Sequence, residues 1–287
     1  GTVPVRALAV LCVLVFGLSS ACSSANSEPT GSLTVPTKAE VDESTGLILV
    51  PADAYWVTHL ELAEITSAMR VAMISCKRRM NVPTDEPRRT IPDEQDTRRF
   101  AGLWRMANAE RYGYVTPMSK AKEQAIADQS DPLSAPTQAE LDAAETCASS
   151  DSTVMELQEQ PPDGPWLRAL NAAEDEARAS REWAEVVADW GSCLAERGLS
   201  VDTENMAPDG VDWKAVGERR VQPVDVELAV VDVTCKRQHD TAQRLADLVA
   251  AAQAPVVAKY GAELQDQRAG FDRQLAKARR VLSEAGL

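Results

Sequence analysis

The sequence predicts an all-α fold, a disulfide-stapled helical bundle in two halves that follow a signal peptide and a flexible tether. Three observations predict it. Apolar residues recur at steps of three and four, strand-type alternation is almost absent, and four cysteines occur in two similar pairs of helical contexts. The expected organisation is a lipoprotein signal peptide at 1–21, a disordered tether at 22–47, an N-terminal helical half at 48–150, a linker at 151–165 and a C-terminal helical half at 166–287.

The N-terminus has the order of a secretory signal peptide. Arg6 precedes an apolar run at 7–18, and small residues follow up to Ala21. The run is shorter than the roughly 20 residues that cross a bilayer, so a membrane-spanning helix is the weaker interpretation. Cys22, after a small residue, resembles the acylated cysteine of a bacterial lipobox, although Ser19 stands where an aliphatic residue is usual. Secretion without lipid and an uncleaved anchor remain alternatives.

Composition supports a tether and excludes one class of partner. The segment 23–46 is rich in Ser, Thr, Pro and Glu and poor in core-forming residues. The formal net charge is −14, and loss of Arg6 with the signal makes the chain more acidic. Nucleic acid and anionic headgroups repel such a chain, so no nucleic-acid partner is expected. The expected location is the extracytoplasmic face of the cell membrane, held by lipid on Cys22.

The remaining thiols suit structural bridges. Four cysteines stay in the mature chain beside Cys22: Cys76, Cys147, Cys193 and Cys235. An even count in an oxidising compartment predicts two disulfides, with three possible connectivities. No pair has CxxC spacing and the chain has only two histidines, so no metal site and no cofactor are expected.

An internal repeat selects one connectivity. Cys76 and Cys193 are each followed five residues later by a residue that suits a left-handed helix end, Asn81 and Gly198, and then by an apolar residue. That spacing predicts a helix C-cap with its hydrophobic follow-on contact.

The other two cysteines are also alike. Cys147 and Cys235 each follow a threonine at the end of an apolar-patterned helix. The economical inference is one bridge per half, Cys76 to Cys147 and Cys193 to Cys235. Each would stabilise the fold by about 4 kcal/mol on the chain-entropy argument.

Periodicity places the helices of the first half. It predicts a helix from about Glu61 to Asn81, a proline-rich loop to Thr97, a second helix marked by Phe100, Leu103, Trp104 and Ala107 and ending near Gly113, a short helix near 120–128, and a helix opened by a capping box of Thr137 and Glu140.

The second half is more strongly helical. The pattern predicts a helix from about Pro165 to Arg197, a loop at 199–223, a helix from Val224 that ends or kinks at Pro255, and a last helix from Tyr260 to Leu282.

Tryptophans are the candidates for a binding surface. Trp183 and Trp190 are seven residues apart on one helical face, and such a stripe is usually core. Trp56, Trp104 and Trp213 lie near helix ends or loops, so they form the possible binding surface if they are exposed together.

No motif predicts catalysis. GxSxG, HExxH, GxxxxGK and GxGxxG are all absent. Paired carboxylates do acid and base chemistry only where a pocket separates their pKa values, and nothing in the sequence shows such a pocket. Acidic residues at 202–212 could offer oxygen ligands to Ca²⁺, but EF-hand spacing is missing. An envelope hydrolase with a carboxylate pair, or divalent-cation binding by the acidic surface, are the alternatives to a non-enzymatic protein.

Several segments resemble a known group. PADAYW (51–56), RYGY (111–114), WGSCLAERG (190–198) and ELAVVDVTCKR (227–237) resemble predicted lipoproteins of actinobacteria, a group without an established activity. Glycine is commoner in that group where this chain has Asn81. The resemblance implies export, anchoring and the same cysteine pairing. The expected function is therefore that of a lipid-anchored envelope protein that binds an envelope protein or cell-wall component, or assists a membrane complex, without catalysis.

Overall fold

A computed structural model describes residues 34–90, 98–130, 135–161 and 163–287. The predicted signal peptide and the predicted acylation site Cys22 lie outside the described residues. Residues 34–287 form one compact unit, which is mostly helical as predicted. Among the described residues, no helix is long and apolar enough to cross a membrane.

Eleven α-helices and two short antiparallel hairpins make up the described part of the chain. In order they are β1 (Glu40–Asp42), β2 (Leu47–Leu49), a 3₁₀ turn (Pro51–Tyr55), α1 (His59–Arg79), α2 (Met106–Tyr112), α3 (Lys120–Ser130), α4 (Gln138–Ser150), α5 (Ser152–Gln158), α6 (Pro165–Arg178), α7 (Arg181–Ala195), β3 (Val201–Asp202), β4 (Ala207–Pro208), α8 (Trp213–Gly217), α9 (Pro223–Gln238), α10 (Thr241–Lys259) and α11 (Gly261–Glu284).

Both predicted disulfides are present. Cys76 bonds Cys147 and joins α1 to α4, while Cys193 bonds Cys235 and joins α7 to α9. Two disulfides indicate an oxidising, extracytoplasmic compartment.

The predicted helix caps are confirmed. Asn81 and Gly198 adopt φ of 58° and 75°, and the next residue in each case donates its N–H back across the last helical turn. The capping box predicted at Thr137 and Glu140 also forms. A residue in the left-handed conformation lets the following backbone N–H bond a carbonyl of the last helical turn. Asparagine tolerates that conformation almost as well as glycine does.

Two predicted long helices are in fact broken. The predicted helix at 165–197 stops at Arg178, and Ser180 starts α7 by accepting a hydrogen bond from the backbone N–H of Trp183. The predicted helix from Val224 breaks at Asp240, which has φ of 52°. The helix does not end at Pro255, which lies inside α10.

The predicted helix at 100–113 is much shorter. It begins only at Met106, because Gly102 has φ of 62° and the chain turns before it. Phe100 and Trp104 are both buried, and a turn rather than a helix presents them.

The predicted boundaries need correction. The tether ends before residue 47, since β1 and β2 pair from Glu40 to Leu49 and Asp247 accepts a hydrogen bond from the backbone N–H of Ala39 at 2.9 Å. The predicted linker at 151–165 carries α5, whose Val154 and Leu157 are buried between α1 and α11. The two predicted halves therefore interleave within one unit, with α11 packed along α1 and α9 against α2.

Candidate functional site

A buried polar cluster lies at the centre of the fold, where α9 carries Asp232 and Lys236 one turn apart. The Nζ of Lys236 donates to Oδ2 of Asp232 at 3.0 Å, to the carbonyl oxygen of Leu103 at 2.9 Å and to that of Met206 at 2.5 Å. All three ammonium protons therefore have acceptors. The lysine ties the turn before α2 and the β3–β4 hairpin to α9.

The carboxylate of the pair is equally well satisfied. Tyr114 donates its hydroxyl to Oδ2 of Asp232 at 3.0 Å, and Trp190 donates Nε1–H to Oδ1 at 3.0 Å. The Nζ of Lys236 also lies 4.9 Å from the centroid of the Trp190 ring. Burial raises the pKa of Asp232 and lowers that of Lys236, while their mutual attraction opposes both shifts. Burial and then Asp232 raise the pKa of Tyr114.

This cluster is sealed. The side chains of Asp232 and Lys236 are 0% and 1% exposed. Groups that already hold all their hydrogen-bond partners and that solvent does not reach have no means of meeting a substrate. We therefore assign the cluster a structural role.

Three sequence segments, RYGY (111–114), WGSCLAERG (190–198) and ELAVVDVTCKR (227–237), meet at this cluster. RYGY contributes Tyr114, WGSC contributes Trp190, and DVTCK contributes Asp232 and Lys236. Gly113 ends α2 with φ of 56°, and a Cβ there would lie 3.2 Å from the backbone nitrogen of Val226. These sequence motifs are therefore explained by packing around the buried cluster.

A groove of about 520 Å³ lies between α5, the start of α6 and α11. Its size is within the usual range for small-ligand sites. One face of α11 supplies most of its wall at steps of three and four: Glu263, Asp266, Gln267, Gly270, Arg273, Gln274 and Lys277. Gly270 leaves room at the middle of that face, since a Cβ there would lie 3.1 Å from Cγ of Pro161.

Two buried glutamines hold the groove together. Gln267 accepts a hydrogen bond from Nε1–H of Trp166 at 3.0 Å and donates to the carbonyl of Tyr55 at 3.3 Å. Gln274 donates its Nε2 hydrogens to the carbonyls of Leu157 at 2.7 Å and Glu159 at 2.9 Å. The walls are thus fixed by interactions between distant segments.

Carboxylates dominate the groove. Glu156 pairs with Lys277 at 2.7 Å. Glu159, Glu263 and Asp266 form no ion pair with any described residue, and Arg273 is the remaining cation of the lining. The surface that a ligand meets is therefore acidic and has free hydrogen-bond acceptors.

The three tryptophans predicted as a binding surface do not come together. Trp104 is buried at 4% exposure, and Trp56 is half-buried against a different part of the core. Trp213 is 38% exposed and packs edge-on against Tyr114 at 5.5 Å between ring centroids. Trp183 and Trp190 are core residues, as predicted.

The acidic residues considered as cation ligands serve local structure. Asp202 accepts hydrogen bonds from the backbone of Glu204 and from Asn205, and the Asn205 side chain lowers its pKa. Asp212 caps α8 by accepting from the backbone N–H of Ala215. Across the described residues, no three His, Cys, Asp or Glu side chains are grouped closely enough to hold a metal ion.

Comparison with known proteins adds no assignment. No protein-family model, no curated protein and no solved structure matches the chain. The groove and the cluster are therefore interpreted from their own chemistry.

One feature of the sequence indicates the groove, although the apolar periodicity of α11 does not reveal it. Gln267 and Gln274 are seven residues apart on α11, among apolar positions that pack into the core. Polar side chains on an apolar face are buried only with partners, so such a pair indicates contacts with another segment.

Proposed function

We propose that this protein is a lipid-anchored envelope protein that acts on the extracytoplasmic side by binding a ligand or partner in the groove between α5, α6 and α11, without catalysis. The observation that carries the proposal is the groove itself, in which Glu159, Glu263 and Asp266 have no ion-pair partner among the described residues. Charged groups left free in a concave site are typical of recognition surfaces.

The scaffold favours binding by a fixed surface. Gln267 and Gln274 tie the walls together, and Glu61 and Arg268 join α1 to α11 through a paired contact at 2.8 Å. Such walls lose little freedom when a ligand binds, which favours affinity.

The sealed state of the central cluster argues against the hydrolase alternative. Asp232 has the one raised carboxyl pKa resolved among the described residues, but its three hydrogen-bond donors and its burial separate it from solvent. A general acid must reach the proton acceptor of its substrate. Turnover of an envelope substrate by the purified protein, abolished by one carboxylate or histidine change, would overturn the non-catalytic proposal.

Anchoring rests on the signal-like N-terminus and Cys22. In a bacterial host that lipidates exported proteins, the full chain should incorporate an alkyne-labelled fatty acid and fractionate with membranes. Cys22→Ser should lose both. A serine variant that keeps the label would contradict acylation at this residue.

Binding is tested in native membranes with a photo-crosslinking amino acid at Arg273, which is exposed on the groove wall. The control carries the same amino acid at Glu145 on α4, an exposed position outside the groove. We expect a discrete adduct with an envelope component from Arg273 only. Identical adduct patterns from both positions, or none, would refute binding at the groove.

A further inference from the structure

We propose that Met80 is an oxidation site that protects the Cys76–Cys147 disulfide. Its thioether takes up a two-electron oxidant, such as hypochlorous acid, before that oxidant reaches the bridge. This role is independent of ligand binding in the groove. The position of one sulfur atom, its exposure and the oxidising compartment that the disulfides indicate support it together.

The sulfur of Met80 lies directly against the disulfide. Its Sδ is 3.9 Å from Sγ of Cys147, which is bonded to Cys76. Met80 follows Cys76 by four residues, so the two side chains share one face at the end of α1. Asn81, with φ of 58°, closes the helix directly after Met80. The backbone therefore holds the methionine beside the bridge.

Met80 is the solvent-facing partner in this contact. It is 42% exposed, whereas Cys76 is 7% exposed and Cys147 is fully buried. An oxidant that approaches from this side meets the methionine sulfur before it meets a cysteine sulfur. Methionine is a common site of oxidative modification, so the first sulfur in the path is also a reactive one.

The reaction transfers one oxygen atom to sulfur. A lone pair of Sδ attacks the chlorine of hypochlorous acid, water replaces chloride on sulfur, and the net products are the sulfoxide, chloride and one proton. Sulfur loses two electrons and chlorine gains them. Methionine sulfoxide reductases return the sulfoxide to the thioether, whereas oxidation of cysteine sulfur to the sulfonic acid is irreversible. Reaction at Met80 therefore replaces a permanent lesion with a reversible one.

The chain offers two matched controls. Met155 on α5 is 48% exposed, close to the exposure of Met80. In the described part of the chain, the sulfur contact with a disulfide is made by Met80 and not by Met155. The second bridge meets an arginine in place of a methionine, because Nη1 of Arg197 lies 2.9 Å from Sγ of Cys193. Exposure and oxidant dose are thus the same in test and control, and only the contact differs.

The direct test treats the purified mature protein with graded hypochlorous acid. The protein is then reduced, its recovered thiols are alkylated, and peptide mass mapping follows. The alkylated fraction of Cys147 measures the intact bridge, and the oxygen added to Met80 measures its sulfoxide. The sulfoxide should accumulate at doses that leave Cys147 fully recoverable. Loss of recoverable Cys147 before Met80 is oxidised would overturn the proposal, and this order is measured on the native protein without any variant.

Leucine variants separate the chemistry of the thioether from simple cover. Met80→Leu keeps an apolar side chain of similar volume over the bridge, so the fold is retained, but it removes the thioether. At a dose that oxidises most Met80 in the native protein, this variant should lose severalfold more Cys147, while recovery of Cys193 stays unchanged. Met155→Leu should lose no more Cys147 than the native protein does.

Two results with these variants would refute the proposal. Equal recovery of Cys147 in Met80→Leu and in the native protein would mean that the side chain only covers the bridge. Equal losses in Met80→Leu and Met155→Leu would mean that any exposed methionine consumes the oxidant, wherever it lies.

Discussion

Replacing the buried lysine tests the structural role of the central cluster. Lys236→Met keeps the length of the side chain but removes its three hydrogen bonds. Asp232 loses its counter-ion, and the carbonyls of Leu103 and Met206 lose their donor inside the core. The change therefore leaves one charge and two polar groups unsatisfied.

The expected cost follows from these three losses. Removing one partner of a buried ion pair costs about 3–5 kcal/mol, and each carbonyl left without a donor adds about 1 kcal/mol or more. Together they destabilise the fold by roughly 5–7 kcal/mol, a large share of the 5–15 kcal/mol that holds a typical domain. Lys277→Met is the matched control, because its ion pair with Glu156 is 26% and 52% exposed and should contribute no more than about 1 kcal/mol.

Urea unfolding followed by circular dichroism, under non-reducing conditions, measures both variants. We expect a large drop in the midpoint for Lys236→Met and a small one for Lys277→Met. Adding Asp232→Asn to Lys236→Met should cost less than the sum of the single changes, since the second change removes the unpaired charge. Equal midpoints for the two lysine variants, or strict additivity at the buried pair, would refute this account of the cluster.

Three further outcomes test the packing around the two structural centres. Gly102→Ala should destabilise the fold by more than about 2 kcal/mol, because the added Cβ would lie 2.7 Å from the carbonyl oxygen of Met206, which accepts a hydrogen bond from Lys236. Gly198→Ala is the control: Gly198 also has positive φ, but its Cβ would meet nothing within 4 Å, so the change should cost only about 1 kcal/mol in the same urea assay. Cys76→Ser with Cys147→Ser opens a loop of 71 residues and should cost about 4 kcal/mol, with amide exchange accelerating first in α4. Glu61→Gln should lower the free energy of unfolding at pH 7, because Arg268 lowers the pKa of Glu61 in the folded state and so stabilises the ionised form. The difference in stability between the variant and the native protein should shrink as pH falls below 4.5, since protonation of Glu61 removes that contribution. A difference that is independent of pH would contradict the ion pair.

Features encoded within a few residues could be predicted from the sequence. The disulfide pairing followed from two repeated contexts, the helix cap after Cys76 and Cys193 and the threonine before Cys147 and Cys235. Asn81 and Gly198, the cap residues, do adopt the left-handed conformation. The capping box at Thr137 likewise depends on a contact three residues away. Such features depend on residues that are close in sequence, so the sequence alone is enough to predict them.

Breaks within an apolar stripe were harder to predict. The apolar stripe continues across the break before α7, because Ala177 at the end of α6 packs in the same core as Trp183 and Trp190. Trp166 and Leu170 pack in a separate cluster. Phe100 and Trp104 have helical spacing on a turn made by Gly102. Periodicity reports which residues are buried and does not distinguish a helix from a turn that buries the same positions.

The groove could not be predicted because it depends on contacts between remote segments. Gln274 meets the carbonyl of Leu157 across 117 positions, and Trp166 meets Gln267 across 101. Its free carboxylates look in sequence like any solvated helix face. Only the approach of α5, α6 and α11 distinguishes Glu263 and Asp266 from acids elsewhere.

The order of the two disulfides along the chain has a consequence for maturation. The loops closed by Cys76–Cys147 and Cys193–Cys235 neither overlap nor nest. When a polypeptide enters an oxidising compartment N-terminus first, Cys147 emerges when Cys76 is the one unpaired thiol of the folded region. Cys235 likewise emerges when only Cys193 is unpaired there. With Cys12 removed with the signal peptide and Cys22 acylated, as proposed, oxidation in order of arrival yields the native bridges directly, without reshuffling by an isomerase.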